Sequence, residues 1–212
     1  MDRNRAQQWR RRKLLFGFAG VGAMAVSGTA RAVLNSTPGQ SEGPFYPSSR
    51  DRFEDIDNDL VKVESRVREA GGEILNLSGV VRTIGGELLV GARVEIWQCD
   101  INGRYIHSRD RDANNDPDFQ GFGHSVTDAV GRYSFRTIRP VPYTGRTPHI
   151  HFKVLDPSGN TLLTTQMYVE GEPDNERDGL YRRMSKAQQN LLTVSLRPKG
   201  EGEYSSVFDI VV

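Results

Sequence analysis

Cysteine is all but missing from this 212-residue sequence, in which Cys99 stands alone. A disulfide framework within the chain is therefore excluded, and stability has to come from a packed core or a bound group. Cys99 lies in an apolar-rich run, which assigns it to that core. Long apolar runs are missing as well. The longest, Leu14 to Val26, has 13 residues and is interrupted by glycines, whereas a membrane-spanning helix requires roughly 20. It follows the basic cluster Arg10-Arg11-Arg12-Lys13 and precedes Ala30-Arg31-Ala32, the pattern of a twin-arginine export signal with an A-x-A cleavage site. Residues 1–32 are read as that signal, and export to a periplasmic or extracellular location is expected.

An excess of positive charge is missing too, once the N-terminus is set apart. Residues 1–32 hold seven of the 28 Lys and Arg and one of the 27 Asp and Glu, which leaves 21 against 26 and a net charge of −5. Nucleic acids and anionic lipids are bound largely through basic surface. Neither is expected as a partner, and no stable membrane insertion is expected after cleavage.

What is present, from Ile74 onward, is a succession of short apolar or alternating runs: "ILNLSGVV", "ARVEIWQC", "GRYSFRTI", "HIHFKVL", "TLLTTQMYV", "LTVSL" and "VFDIVV". Gly85-Gly86, Asn102-Gly103, Val130-Gly131 and Ser158-Gly159-Asn160 punctuate them. Strands at this spacing predict an all-β fold over 74–212, an antiparallel sandwich or barrel, with the sandwich preferred. The stretch "RDGLYRRMSKAQQNLL" predicts one short helix, and residues 33–73, rich in Pro, Ser, Asp and Glu, predict an irregular arm. Trp97 and Phe135 are assigned to the interior. His107 and His124 sit in polar sequence and are read as exposed loop residues, and Asp112, Asp116 and Asp118 as a solvated loop without the Gly and Glu of an EF-hand.

Histidine is scarce, with four copies, yet two of them stand one residue apart in "RPVPYTGRTPHIHFKV". Successive side chains of a strand face opposite ways, so His149, His151 and Lys153 share one face while Ile150, Phe152 and Val154 take the other. Two residues of strand rise separate the histidine Cα atoms by about 6.5–7 Å, from which both imidazoles can reach one ion. Arg146 adds a permanent cation beside them, suited to an anionic substrate or intermediate. These residues alone leave open a metal enzyme, a zinc-dependent H-x-H hydrolase, and a transthyretin-like sandwich that binds without catalysis.

The segments "VEIWQCDINGRYIH", "DPDFQGFGHSVTDAVGRYSFRTIRPVPY" and "RTPHIHFKV" resemble the intradiol ring-cleavage dioxygenases, the family of the protocatechuate 3,4- and catechol 1,2-dioxygenases. The resemblance implies a non-haem Fe(III) held by Tyr105, Tyr143, His149 and His151. It implies that Tyr143 doubles as a base, that Arg146 stabilises negative charge on the ring, and that Gln166 lines the pocket. Gly43, Pro44 and Phe45, in the arm segment "SEGPFYP", are implied as pocket wall. The expected reaction splits a catechol between its two hydroxyl-bearing carbons with O2, giving a cis,cis-muconate. Phenolate is a hard anionic donor matched to ferric iron, which makes that ligand set chemically coherent. The expected partners are a small catechol-type substrate and O2; a homo-oligomer stays open. One departure stands out: only Thr144 and Gly145 separate Tyr143 from Arg146, where better-known members carry a longer loop.

Overall fold

The computed structural model describes residues 33–110 and 114–212, so the expected signal over 1–32 and Asp112 lie outside the described residues. Among the described residues ten strands follow one another: β1 (Ile74–Arg82), β2 (Arg93–Trp97), β3 (Phe122–Val126), β4 (Arg132–Ile138), β5 (His149–Leu155), β6 (Thr161–Val169), β7 (Thr193–Val194), β8 (Arg197–Gly200), β9 (Glu203–Val207) and β10 (Ile210–Val211). Between β6 and β7 come a 3-10 turn (Pro173–Glu176) and two helices, α1 (Gly179–Arg183) and α2 (Lys186–Leu192). One sheet has the order β3-β2-β5-β6-β7; the other joins β10, β1, β9 and β8, with β4 also paired to β1.

Alternation decides which sides meet. Leu75, Leu77 and Val81 of β1 belong to one buried cluster with Val94 and Ile96 of β2 and with Ile150, Phe152 and Val154 of β5. Each such side chain, fully buried, contributes about 1.5–3 kcal/mol of hydrophobic stabilisation. The outward side of β5 is not left to water, because His149 and His151 are 1% and 2% exposed. That second burial is what positions the site.

The expected sandwich is present, but its sheets are mixed rather than purely antiparallel. β1–β4 and the run β3-β2-β5-β6 are antiparallel, whereas β9 and β10 lie parallel to β1, and β7 lies parallel to β6. A parallel neighbour requires a crossover, and the helical segment between β6 and β7 supplies one. The single helix read from "RDGLYRRMSKAQQNLL" is two, because Ser185 caps a new start: its side chain accepts from the Gln188 N–H while the Gln188 side chain accepts from the Ser185 N–H.

Three strands carry weak sequence signals. β8 ("RPKG") is exposed throughout and β9 ("EYSSV") is mostly polar, so neither shows an apolar alternation. β3 ("FGHSV") contains Gly123, where a Cβ would fall 2.4 Å from the Asp57 carbonyl oxygen. His124 accordingly lies on β3, half-buried and opposite Glu95, not in an exposed loop. Trp97, Phe135 and Cys99 are buried as expected.

The arm has no helix or strand, yet it is bonded to the sandwich. Gln40 N donates to Thr164 O at 2.9 Å, Thr37 N to Val211 O at 2.9 Å, and Thr165 Oγ1 to Pro38 O at 2.7 Å. Leu60 and Val61 are fully buried in the main core. Where β1 meets the β9–β10 corner, Tyr133 donates its hydroxyl to the Phe208 carbonyl, and a Cβ on Gly79 would lie 2.0 Å from that same oxygen. Gly79→Ala should therefore cost about 3 kcal/mol through overpacking, measured as a lowered urea midpoint. Gly200→Ala, whose nearest neighbour is a Glu203 side-chain atom 4.0 Å away, should move the midpoint far less.

Candidate metal centre and substrate pocket

Register places the outward side chains of three strands in rows. Trp97 of β2 is opposite His151 of β5, which is opposite Gln166 of β6; one step along, His149 is opposite Tyr168. The Trp97 indole stacks flat on the His151 ring, with centroids 4.8 Å apart and planes 9° from parallel. The two imidazoles turn toward each other, and their Nε2 atoms are 3.2 Å apart. His149 Nδ1 lies 2.6 Å from the Thr147 carbonyl oxygen. A carbonyl can only accept, so the proton sits on Nδ1 and Nε2 keeps its lone pair.

The two tyrosines arrive from loops. Tyr105 follows the turn at Asn102-Gly103 and is held by its N–H, which donates to Asp110 Oδ2 at 2.7 Å. Tyr143 opens a tight turn closed by Arg146 N donating to Tyr143 O at 2.8 Å. Gly145, at the third position, has φ +77°, which a residue with a Cβ adopts only under strain. This two-residue link brings Tyr143 and Arg146 together: Arg146 Nη1 is 3.5 Å from the Tyr143 hydroxyl. The four rings form a continuous group, with centroid separations of 5.4 Å for Tyr105–Tyr143, 6.1 Å for Tyr105–His151, 5.6 Å for Tyr143–His149 and 4.8 Å for His149–His151.

Among the described residues, no group of three or more His, Cys, Asp or Glu gathers as a metal site. A cation here would have to draw on phenol oxygen, the donor type that favours ferric iron. The residues fit such an ion. The Tyr105 hydroxyl is buried and has no hydrogen-bond partner, an arrangement that native interiors rarely tolerate without a further ligand. Beside it, two imidazole nitrogens converge.

Burial is the first cause of the electrostatics at the four rings. Burial raises the Tyr105 phenol well above its usual range. Burial also raises Tyr143, while the nearby Arg146 cation pulls it back. Burial, then Arg146, pushes the His149 imidazole down to about 3, and burial holds His151 well below its ordinary value. Both rings are neutral at neutral pH, the form that can donate to a metal.

Arg146 is fixed on two sides. Its Nε donates to Asp178 Oδ2 at 2.7 Å and its Nη2 to Gln166 Oε1 at 2.7 Å. Gln166 in turn donates from Nε2 to the Ser41 carbonyl at 2.8 Å, tying the arm to the same network. The arm then crosses the site. Phe45 stacks on Tyr105 at 4.9 Å, the Pro44 carbonyl accepts from Arg109 Nη2 at 3.0 Å, and a Cβ on Gly43 would be 3.4 Å from His151 Cε1. Tyr46 donates to Glu95 Oε2 at 2.7 Å beneath the Lys153 ammonium. A cavity of about 260 Å³ opens beside Tyr143, Arg146, Thr147 and Asp178. A larger depression of about 650 Å³ touches none of these rings; it lies along Asn76, Ser134, Arg136 and Ser206.

The nine site residues that the family resemblance implied lie in one neighbourhood: Tyr105, Tyr143, His149, His151, Arg146, Gln166, Gly43, Pro44 and Phe45. Asp178, Thr147, Asn175, Tyr46 and Trp97 belong to it as well. Asp178 carried one legible signal, an Asp before a helical turn, which marks a helix cap and says nothing of Arg146.

A family model described as "Dioxygenase" matches residues 41–212, which gives this β-sandwich its class. The protocatechuate 3,4-dioxygenase beta chain of Burkholderia cepacia is 36% identical over 168 residues, covering 74% of this chain and 72% of its own. A hydroxyquinol 1,2-dioxygenase of Corynebacterium glutamicum is 28% identical, covering 94% and 71%. Among solved structures, the dioxygenase domain of a dioxygenase carbohydrate-binding protein fusion from Streptomyces sp. SirexAA-E superposes with a TM-score of 0.63 at 32% identity, over 84% of this chain and 98% of that one. The chain belongs to the intradiol ring-cleavage dioxygenases, a family of oxidoreductases.

An unfolded chain protonates His149 below about pH 6.5, whereas the folded one resists until about 3. The stability gained from the neutral buried ring is therefore complete above pH 6.5 and is lost as pH falls toward 3. Metal-free protein should lose about 1.4 kcal/mol per pH unit from this residue in that window, read from urea unfolding between neutral pH and about pH 5. His149→Gln should flatten the slope.

Proposed function

We propose that the protein cleaves a catechol between its two hydroxyl-bearing carbons with O2, using a non-haem ferric ion held by Tyr105, Tyr143, His149 and His151, and releases a cis,cis-muconate-type product. The observation that carries this reading is the meeting of two phenols and two neutral imidazoles, with facing Nε2 atoms 3.2 Å apart beside a buried, unpartnered tyrosine hydroxyl. When bound there, ferric iron would draw electron density from a catecholate and ready its ring for reaction with oxygen.

The chain's own residues have distinct parts. Tyr143 is half-buried and borders the cavity, whereas Tyr105 is 1% exposed behind Phe45. Tyr143 is thus the phenol that a substrate hydroxyl can reach, and its phenolate is the proton acceptor. The Arg146 cation favours that phenolate and, in a pocket poor in water, stabilises negative charge that builds on the ring. Gln166 fixes the guanidinium, and Phe45 with Gly43 walls the rings from solvent. The turn Thr144-Gly145 leaves the cavity beside Tyr143 uncovered by any longer loop.

Oxygen uptake with catechol, protocatechuate and hydroxyquinol should show one O2 consumed per ring opened, with intradiol products identified by mass. Iron-containing protein that consumes no oxygen with any catechol, or that opens the ring beside the hydroxyl pair, would overturn the reading. Tyr143→Phe should lower kcat by about 10²-fold or more and shift the visible phenolate-to-iron band.

Export through a twin-arginine route is proposed on the sequence of residues 1–32. Among the described residues, no helix is long and apolar enough to cross a membrane. Cell fractionation that finds only full-length protein in the cytosol would refute export.

A further inference from the structure

The buried carboxylate of Asp178 has four donors on it. Oδ2 accepts from Arg146 Nε at 2.7 Å and from Thr147 N at 3.0 Å; Oδ1 accepts from Leu180 N at 2.8 Å and Tyr181 N at 3.1 Å. The second pair is an ordinary helix cap for α1. The first pair is not required by a cap, and it reaches two adjacent residues of the site strand's approach. Thr147 is fixed further by its hydroxyl, which donates to Asn175 Oδ1 at 2.8 Å, and Asn175 Nδ2 donates to Val169 O at 2.9 Å. Thr147's own carbonyl receives the Nδ1–H of His149. Asp178 and Asn175, both from the segment between β6 and α2, therefore hold the residue whose carbonyl orients one imidazole and the side chain that faces one phenol.

We infer that Asp178 is the positioning residue of the ring-cleavage site: its carboxylate sets the direction of the Arg146 guanidinium so that Nη1 points at the Tyr143 hydroxyl, and through Thr147 it steadies the carbonyl on which His149 turns. A guanidinium is a planar fork, and fixing Nε and Nη2 leaves one orientation for Nη1. Asp178 supplies the first anchor and Gln166 the second. The pair is enclosed, with side-chain exposures of 15% for Arg146 and 0% for Asp178, so the attraction is little screened by water. The Asp178 carboxylate is 0% exposed and is taken up by four protein donors. It acts through Arg146, and the inference rests on the functional reading given above for the meaning of that arginine.

Asp178→Asn separates this role from capping, because asparagine caps a helix about as well as aspartate but leaves Arg146 without a counter-charge. The expected result is a kcat lowered about 10- to 100-fold, with KM for catechol moving much less. Asp178→Ala should regain part of its turnover in added formate, which enters by the 260 Å³ cavity bordering Asp178. In metal-free wild-type protein, the Arg146 Nε–H resonance, assigned by its loss in Arg146→Lys, should be protected from solvent exchange. A folded Asp178→Asn with wild-type kcat and KM would overturn the inference. Should the Asp178 variants not fold, the wild-type resonance decides: rapid exchange of Nε–H shows that the carboxylate does not hold the guanidinium. That measurement needs no turnover, so a protein inactive toward every catechol would sink the functional reading while the resonance still judged the anchoring.

Discussion

Two neutral imidazoles, buried side by side on the outward face of one strand, are the constraint to which the rest of this structure answers. A strand in a sandwich ordinarily shows one face to the core and the other to water. Here β5 is closed on both. Ile150, Phe152 and Val154 fill the space between the sheets, and His149 and His151 are closed off by Trp97, the arm and the loops bearing Tyr105 and Tyr143. Removing polar rings from water is unfavourable unless their polar atoms are satisfied. The Thr147 carbonyl satisfies His149 Nδ1, while the Tyr105 hydroxyl beside the facing Nε2 atoms has no protein partner. A site left incomplete in this way gains from a cation that the folded chain can bind and the unfolded chain cannot.

The charges about the rings have a consistent order. Arg146 is kept ionised against the effect of burial by Asp178, and its charge favours the deprotonated forms of all four rings, Tyr143, Tyr105, His149 and His151. The half-buried Arg146 cation thus favours the phenolate and the neutral imidazole together. The same arginine would be costly without its carboxylate, since an unpaired buried charge is among the most destabilising features a fold can carry. Stability and chemistry are here two consequences of one ion pair.

The arm links these local arrangements to the rest of the molecule. It has no regular structure, but its backbone is bonded to β6 and its side chains to β2: Ser41 receives Gln166, and Tyr46 reaches Glu95. Gly43 turns the chain beside His151 with φ +73°, a conformation that a residue with a Cβ adopts only under strain, and Phe45, two residues on, lies over Tyr105. An irregular segment of this kind can follow the contour of a pocket that a strand, with its fixed spacing, could not.

The alternation in "HIHFKVL" fixed β5 and the shared face of its histidines without reference to any other part of the chain, because a period of two is a local property of extended backbone. The Gly-Arg-Tyr and Pro-Tyr segments, through their likeness to a known family, likewise brought Tyr105 and Tyr143 into view. The strands β8 and β9 stayed illegible for a physical reason: their backbones pair while their side chains remain mostly polar and carry no core signature. Parallel pairing of β9 with β1 joins segments far apart in the chain, and nothing local encodes it. Asp178 meets Arg146 across 32 residues, and Ser41 meets Gln166 across 125. The sequence by itself determined which side chains could carry the chemistry and which face of their strand they share. Only the tertiary structure decided what covers that face and what aims the arginine, since those contacts depend on how separate segments fold back on one another and not on the order of residues within any of them.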